Sequence, residues 1–466
     1  MTRIDPPGAV RWIVRTLEDA GFESWAVGGA VRDALLGRSS SDWDLTTRAE
    51  PKQMRRLFRR TVPIGIDHGT VGILDRSGVM YEVTTFRRDV ETTGRHAVVA
   101  FADTLREDLA RRDFTINAVA WHPLEERIFD PFGGVTDLEQ RVLRTVGSPT
   151  DRFAEDYLRV LRALRFAGRF RLRVEPDTWR ALCRAVPSMG GLSVERIREE
   201  LEKVLGGREA PSASLALYAA SGALGFLYPE LDRTIGRSHR PDWLPGGSGE
   251  PVGLWGATLR AVDLLPPGRW ELRMAALLHG IGAVPADGFE GDPAGASASA
   301  SERERATLRA LGVMSRLRAS NARIEAVAGW VGAVVESPST DADPVTLRRW
   351  LRTIGRSDAP GALRLLGGLH RAYGLGGPHG TAEVGEVAKL LRRCRRELRS
   401  GAPLSERELA IGGRDLIGMG YRPGPEFGEV FEMLLDRVLE DPARNEGEGL
   451  LAEASRFLDQ RDTADE

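Results

Sequence analysis

The stretch that most constrains this chain is 25–44, Trp-Ala-Val-Gly-Gly-Ala-Val-Arg-Asp-Ala-Leu-Leu-Gly-Arg-Ser-Ser-Ser-Asp-Trp-Asp. An apolar run, 25–27, reads as a short buried strand and 30–36 as a helix, with Gly28 and Gly29 at the turn between them. Glycine lets a backbone approach a ligand closely, and a helix start offers unpaired N–H groups to an anion. Arg32 adds a charged fork suited to a phosphate. Further on, Asp42 and Asp44 flank Trp43. If 42–46 is a strand, its period of two puts both carboxylates on one face. Such a pair repels unless a cation lies between them, and Mg2+ accompanying a nucleoside triphosphate suits oxygen ligands. Either motif alone is commonplace, as a turn or as two solvated acids; their order and close spacing carry the reading.

A chain of 466 residues holds several domains and more than one core. The net charge of −2 neither favours nor excludes a nucleic acid, because only local clustering acts on one. Cys183 and Cys394 are too few for a disulfide scaffold or a zinc site, and no apolar run reaches membrane-spanning length. A cytoplasmic protein with no membrane partner is expected. Residues 9–21 read as an amphipathic helix, 51–60 as a basic helix, and 61–65, 69–75 and 79–86 as strands. Residues 88–100 lack periodicity and are expected to form a mobile loop, with helix returning at 106–112. From about residue 150 the pattern is helical, including a predicted helix at 155–168.

Three further groups bear chemistry. Glu82 opens Glu-Val-Thr-Thr-Phe-Arg on a strand that can lie beside the Asp42 strand and supply a third acid for a two-metal site. The run Arg111-Arg112-Asp113, with Asn117 following, has the groups to address a triphosphate and a ribose, although a helix C-terminus also favours such arginines. Third is Glu155-Asp156-Tyr157-Leu158-Arg159. On one helix Asp156 and Arg159 would be neighbours at i,i+3 and Glu155 and Arg159 at i,i+4. A surface ion pair is the plain interpretation. The sharper one is that a carboxylate acceptor beside an arginine donor complements the Watson–Crick edges of cytosine and adenine, and mismatches guanine and uracil.

These groups, Gly28-Gly-Ala-Val-Arg-Asp33, Asp42-Trp-Asp44, Glu82 to Arg87, Arg111 to Ala118 and Glu155 to Arg159, occur in the order found in class II tRNA nucleotidyltransferases. The chain resembles these CCA-adding enzymes and their poly(A) polymerase relatives. The resemblance implies an α+β fold: a small DNA polymerase β-like mixed-sheet head followed by an all-α neck, body and tail. It divides the chain into a head at 1–145, a neck at 146–232, a linker at 233–253, a body at 254–335 and a tail at 336–466. It implies Asp42 and Asp44 as Mg2+ ligands, with Glu82 as the third catalytic acid. It assigns Gly28, Gly29, Arg32, Arg111, Arg112, Asp113 and Asn117 to the triphosphate and sugar, and Glu155, Asp156, Arg159 and Arg162 to the nucleotide. Arg165 and Arg169 would lie along RNA phosphates, and the partners would be the tRNA acceptor arm, CTP and ATP.

Two departures from the family pattern stand out. The loop between Phe86 and Phe101 has alanine in Gly94-Arg-His-Ala97 where the family usually has proline. In the body, Leu277-Leu-His-Gly-Ile-Gly282 resembles a phosphohydrolase HD helix in which Gly280 replaces the metal-binding Asp, and Ala257 stands where an earlier histidine is expected. His279 alone cannot hold a metal, so an inactive HD-like scaffold is expected. The sequence leaves open a CCA-adding enzyme, an A-adding enzyme, a poly(A) polymerase, and an RNA-binding protein that kept the fold.

Overall fold

The computed structural model describes residues 4–93, 96–239, 252–285, 301–374, 380–421 and 424–462. The chain forms two units, one of residues 1–200 and 213–226, the other of residues 201–212 and 227–466.

In the first unit, α1 (Gly8–Asp19) turns Val10, Ile13, Val14 and Leu17 inward, the spacing of one helix face. The chain continues through β1 (Ser24–Val27), α2 (Gly29–Leu35), β2 (Asp44–Thr47) and α3 (Pro51–Leu57). Strands β3 (Thr61–Gly65), β4 (Thr70–Leu74) and β5 (Met80–Thr85) follow. After β6 (Arg87–Thr93), β7 (His96–Phe101) and α4 (Leu105–Ala110) come β8 (Ala120–His122) and β9 (Arg127–Phe129). Seven strands form one mixed sheet in the order β3-β4-β5-β2-β1-β8-β9. The β2–β5 pair is parallel, with Leu45 opposite Val83, and the other pairs are antiparallel.

Alternation gives the centre of this sheet two different faces. Leu45, Val71, Ile73, Tyr81 and Val83 point into one core with α1, Met54 and Phe58. Asp44, Thr46, Glu82, Thr84 and Thr70 point the other way, into a cleft. Trp43 is buried in the core, where its indole N–H donates to the Ser40 carbonyl at 3.1 Å.

Past the sheet lie α5 (Gly134–Glu139), the short β10 (Val142–Leu143), α6 (Pro149–Glu155) and α7 (Leu158–Phe170). Three expectations need correction here. The strand predicted at 42–46 begins only at Asp44; Asp42 precedes it, exposed, in the turn closed by the Trp43 and Ser40 contacts. The stretch 88–100 is not a loop: β6 and β7 pair antiparallel as a separate two-stranded ribbon. Cross-strand backbone hydrogen bonds hold such a ribbon, so it needs no apolar alternation in sequence. Gly94 and Arg95 lie outside the described residues. The helix predicted at 155–168 is two helices, broken at Asp156, whose φ and ψ of −155° and 105° are extended. The Asp156 carboxylate accepts from Leu158 N at 3.1 Å and so caps the second helix instead of continuing the first.

The second unit is helical among its described residues, from Leu254–Leu264 and Trp270–Leu278 to Pro425–Glu440 and Gly447–Asp462. The ends of the stretch expected as a linker at 233–253 pair as short strands, Ser238–His239 with Val252–Gly253. No helix among the described residues is long and apolar enough to cross a membrane.

Gly168 on α7 packs directly on Ser214, where an added Cβ would lie 2.4 Å from the Ser214 backbone nitrogen and 2.2 Å from its Oγ. Backbone cannot move aside as a side-chain tip can. Gly168→Ala is expected to lower stability by about 1–3 kcal/mol, measured by chemical denaturation.

Candidate active site

One cleft of about 610 Å3 in the first unit gathers most of the residues singled out from sequence. Gly28, Gly29, Arg32, Asp44, Glu82, Arg111, Arg112, Asp113, Asn117, Asp156, Arg159, Arg162, Arg165 and Arg169 all line it. It lies within the size range of small-ligand sites. Asp42 and Glu155 are not on its wall; Glu155 pairs with Arg159, which is, and the charge of Asp42 acts on Asp44.

At the sheet end, the β2–β5 register sets Asp44 and Glu82 immediately before the paired Leu45 and Val83, on the same face. Burial, then the charge of Asp42, pushes the Asp44 carboxyl up to about 6; Glu82 adds to this and Arg112 opposes it. A cluster of oxygen ligands whose charges disfavour one another is the donor set a hard divalent cation relieves. Among the described residues, no three His, Cys, Asp or Glu side chains converge as a metal-binding group, so the geometry groups Asp42 with Asp44 without completing a third ligand.

The glycine at 28 is required twice over. Its φ of 78° is left-handed, and a Cβ there would lie 3.3 Å from both an Arg112 guanidinium nitrogen and an Asp44 oxygen. Gly29 has only ordinary contact with Arg32.

The middle of the cleft is a network of arginines and acids. Arg32 is buried; its Nε and Nη2 donate to Asp33 at 2.9 and 2.7 Å, and its Nη1 to Asn117 Oδ1 at 2.6 Å. The Asn117 amide donates to Asp113 at 3.0 Å, and Asp113 accepts from Arg162 at 2.7 Å. Burial opposes ionisation of Asp113, but Arg162 and the Asn117 bond outweigh it, and its carboxyl lies below the usual range. Thus Arg32, Asp113 and Asn117, expected to meet triphosphate and sugar, first of all hold one another. Asp108, which sequence reasoning missed, is the second hub. It accepts from Arg111 at 3.2 Å, from Arg112 at 3.4 Å, from Thr46 at 3.4 Å and from the Arg87 backbone at 3.2 Å. Only its place three and four residues before the arginine pair signals that role.

At the helical end, the side chains of Asp156 and Arg159 do not pair, although the Arg159 backbone N–H donates to the Asp156 carbonyl at 3.0 Å. Asp156 accepts from Arg196 at 2.7 Å. Arg159 pairs with Glu155 as expected at i,i+4, and donates to the carbonyls of Arg152 at 2.8 Å and Arg111 at 3.3 Å. Those bonds leave the Arg159 Nε–H and one Nη2–H for a ligand, while the Asp156 oxygens keep spare lone pairs. Arg196, on the helix Val194–Gly206, also lines the cleft and carries no motif that would have marked it.

Arg165 does not run along an exposed face. It is buried, donating to Glu200 at 2.7 Å, with its guanidinium 4.2 Å from the centre of the Phe166 ring. Arg169 lies 5.0 Å from the Phe170 ring centre. Arg32 stands over both rings, which stack 6.1 Å apart. The amphipathic spacing of α7 gave no hint that its aromatic residues hold arginines inward.

In the second unit, His279 is buried and its Nδ1 bonds the Ala276 carbonyl at 2.7 Å. A carbonyl only accepts, so Nδ1 carries the proton and Nε2 accepts from the Tyr373 hydroxyl at 2.9 Å. Burial, with His239 nearby, pulls the imidazole down to about 4, against the Ala276 bond and Glu302. A Cβ at Gly280 would lie 2.5 Å from Leu254 Cδ1, so leucine fills the space an aspartate would need.

With this geometry in view, the comparisons define a class. Residues 24–144 match the family described as the Poly A polymerase head domain, and residues 171–235 that described as the probable RNA and SrmB-binding site of polymerase A. Over these head residues the chain is similar to a polymerase head-domain family. More particularly, the CCA-adding enzyme of Anoxybacillus flavithermus (strain DSM 21510 / WK1) is 45% identical over 221 residues, covering 47% of this chain and 55% of that protein. The chain thus spans about half the length of the curated relatives it matches. The Bacillus stearothermophilus CCA-adding enzyme, solved in complex with CTP, superimposes with a TM-score of 0.72 at 29% identity, covering 99% of this chain and 100% of that one. The Thermotoga maritima CCA-adding enzyme complexed with tRNA shares the fold, with a TM-score of 0.58 at 21% identity over 98% and 97% of the two chains.

Asp108→Ala strips its partners from Arg111 and Arg112 and is expected to cost about 3 kcal/mol of stability, read from denaturant midpoints. For His279, the unfolded chain takes up a proton near pH 6.5 that the folded protein refuses until about pH 4. Stability therefore falls as pH drops through that window, by about 2 kcal/mol between pH 7 and 5. Denaturation of His279→Gln at both pH values should show a correspondingly smaller difference.

Proposed function

We propose that this protein adds CMP and AMP, without a template, to the 3′ end of tRNA, using CTP and ATP in the cytoplasm. The observation that carries this is a single cleft with a carboxylate pair, Asp44 and Glu82, at one end and a base-complementing pair, Asp156 and Arg159, at the other. Names of relatives along half the chain, and one solved with CTP, support the same reading.

In the reaction the RNA 3′-oxygen forms a bond to the α-phosphorus while the bond to the β-phosphate oxygen breaks, and pyrophosphate leaves. Mg2+ held by Asp42 and Asp44 would supply neutralising charge at the triphosphate and a more acidic 3′-hydroxyl. The protein's own part is positioning. Arg112, beside Asp44, faces the growing negative charge. Arg159 donates to N3 of cytosine or N1 of adenine, and Asp156 accepts from the exocyclic amine. Arg196 orients Asp156 for that contact, and Glu155 orients Arg159. Guanine and uracil present a donor to Arg159 and an acceptor to Asp156, and are refused.

The test uses tRNA transcripts ending before CCA, after C and after CC, with CTP, ATP or both. Stepwise C, C, A addition that stops at full length is expected. Addition of A alone to the CC-ending transcript would make it an A-adding enzyme, long A tails a poly(A) polymerase, and no incorporation an RNA-binding protein. Asp44→Ala is expected to lower incorporation on the order of a thousandfold.

A further inference from the structure

The open face of the sheet does not end at the carboxylates. The register carries one row outward from Asp44 and Glu82 to Gly72 and then Val62 on the edge strand β3. Here the surface turns apolar. Val62, Ile64 and Met80 are 37%, 41% and 45% exposed. A Cβ on Gly72 would lie 2.7 Å from Ile64 Cδ1 and 2.8 Å from Met80 Sδ, so these two side chains close over the glycine as one shelf. Among the described residues of this unit Trp12, Ile66, Val79, Phe101 and Phe226 are exposed as well, but Ile64 and Met80 differ in meeting over Gly72, in the row that leads out from Glu82. The underside of the same strands already has its core in Val71, Ile73 and Tyr81, so folding does not account for a second apolar face.

We infer that this shelf seats the 3′-terminal nucleoside of the RNA acceptor, with Ile64 and Met80 against its base or ribose. The inference rests on the nucleotidyltransferase reading above. The attacking hydroxyl must reach Asp44 and Glu82, and the incoming nucleotide fills the cleft on the side of Gly28, Arg112 and Asp156. The acceptor end must therefore come from the other side, and that side is the shelf. Charge fits the same occupant. Beyond Met80 the strand ends carry the exposed Arg60 and Arg76, and Arg60 reaches across to the Asp75 carbonyl at 2.9 Å. An RNA terminus would run with phosphates at these arginines, its last nucleoside over the apolar side chains, and its 3′-oxygen at the carboxylates. A nucleoside offers a flat apolar face to any such surface, so the shelf holds the terminus without reading which base it is.

The experiment measures initial rates with a CC-ending transcript and ATP, varying each substrate, for wild type, Ile64→Ser/Met80→Ser and Ile64→Leu/Met80→Leu, with thermal melting of all three. The serine variant is expected to raise KM for RNA about tenfold while KM for ATP stays within about twofold; the leucine variant should keep the wild-type KM for RNA. An unchanged RNA KM in a serine variant that melts like wild type overturns the proposal, as does an equal rise for the leucine variant. Sedimentation that shows a wild-type dimer dissociated by the serine changes overturns it too, assigning the shelf to a second copy of the chain. A wild-type protein that extends no transcript instead removes the functional reading itself, which separates the two failures.

Discussion

An arginine taken out of water needs acceptors for its N–H groups, and the cleft of this protein is built around meeting most of that demand. Arg32, Arg111, Arg112, Arg159, Arg162 and Arg165 crowd one wall, and Asp33, Asp108, Asp113, Glu155 and Glu200 answer them. Arg32–Asp33 and the Asp108 pairs stay within or at the end of one helix, whereas Asp113–Arg162, Glu155–Arg159 and Glu200–Arg165 tie one element to another. The run Asp33–Arg32–Asn117–Asp113–Arg162 links the Gly28 turn to helix α7 through side chains alone. Breaking any member leaves a buried charge unmatched, which is why such a network fixes geometry more than it adds stability.

The sheet contributes an asymmetry of its own. A parallel β2–β5 pair places Asp44 and Glu82 level with each other, and alternation sends their neighbours Leu45 and Val83 into the core. The carboxylates are thereby anchored by the apolar residues beside them in sequence, and Trp43 does the same from the other side. Packing thus holds Asp44 out of water and near Asp42 and Glu82, and burial first, then repulsion from those two acids, pushes its carboxyl up to about 6. That stored repulsion is what makes the spot receptive to positive charge.

The second unit shows the opposite outcome for residues of similar promise. His279 keeps its place on the helix, yet both its nitrogens are consumed by Ala276 and Tyr373, and Leu254 occupies the room beside Gly280. The histidine expected in an HD-like scaffold is here closed over by hydrocarbon and hydrogen bonds, and it serves the core.

The Gly28 turn and the strands that carry Asp44 and Glu82 were legible in sequence because each depends on local rules, a left-handed glycine and a period of two; the turn that leaves Asp42 outside the strand was not. Glu155 and Arg159 were legible for the same reason, four residues apart. The break at Asp156 was not, since a carboxylate capping a new helix one residue after another ends competes with helical periodicity over a span too short to show. The inward turn of Arg165 depends on Glu200, and the orientation of Asp156 on Arg196, partners roughly forty residues away. The ribbon at 87–101 carries no periodic signal because its strands pair through backbone bonds, which no side-chain pattern records. Sequence by itself determined which residue types carry chemistry and in what order, since those are set by nearest neighbours. Only the tertiary structure decided which arginines face the cleft and which are spent on holding it, because a buried charge takes its partner from wherever the fold brings one.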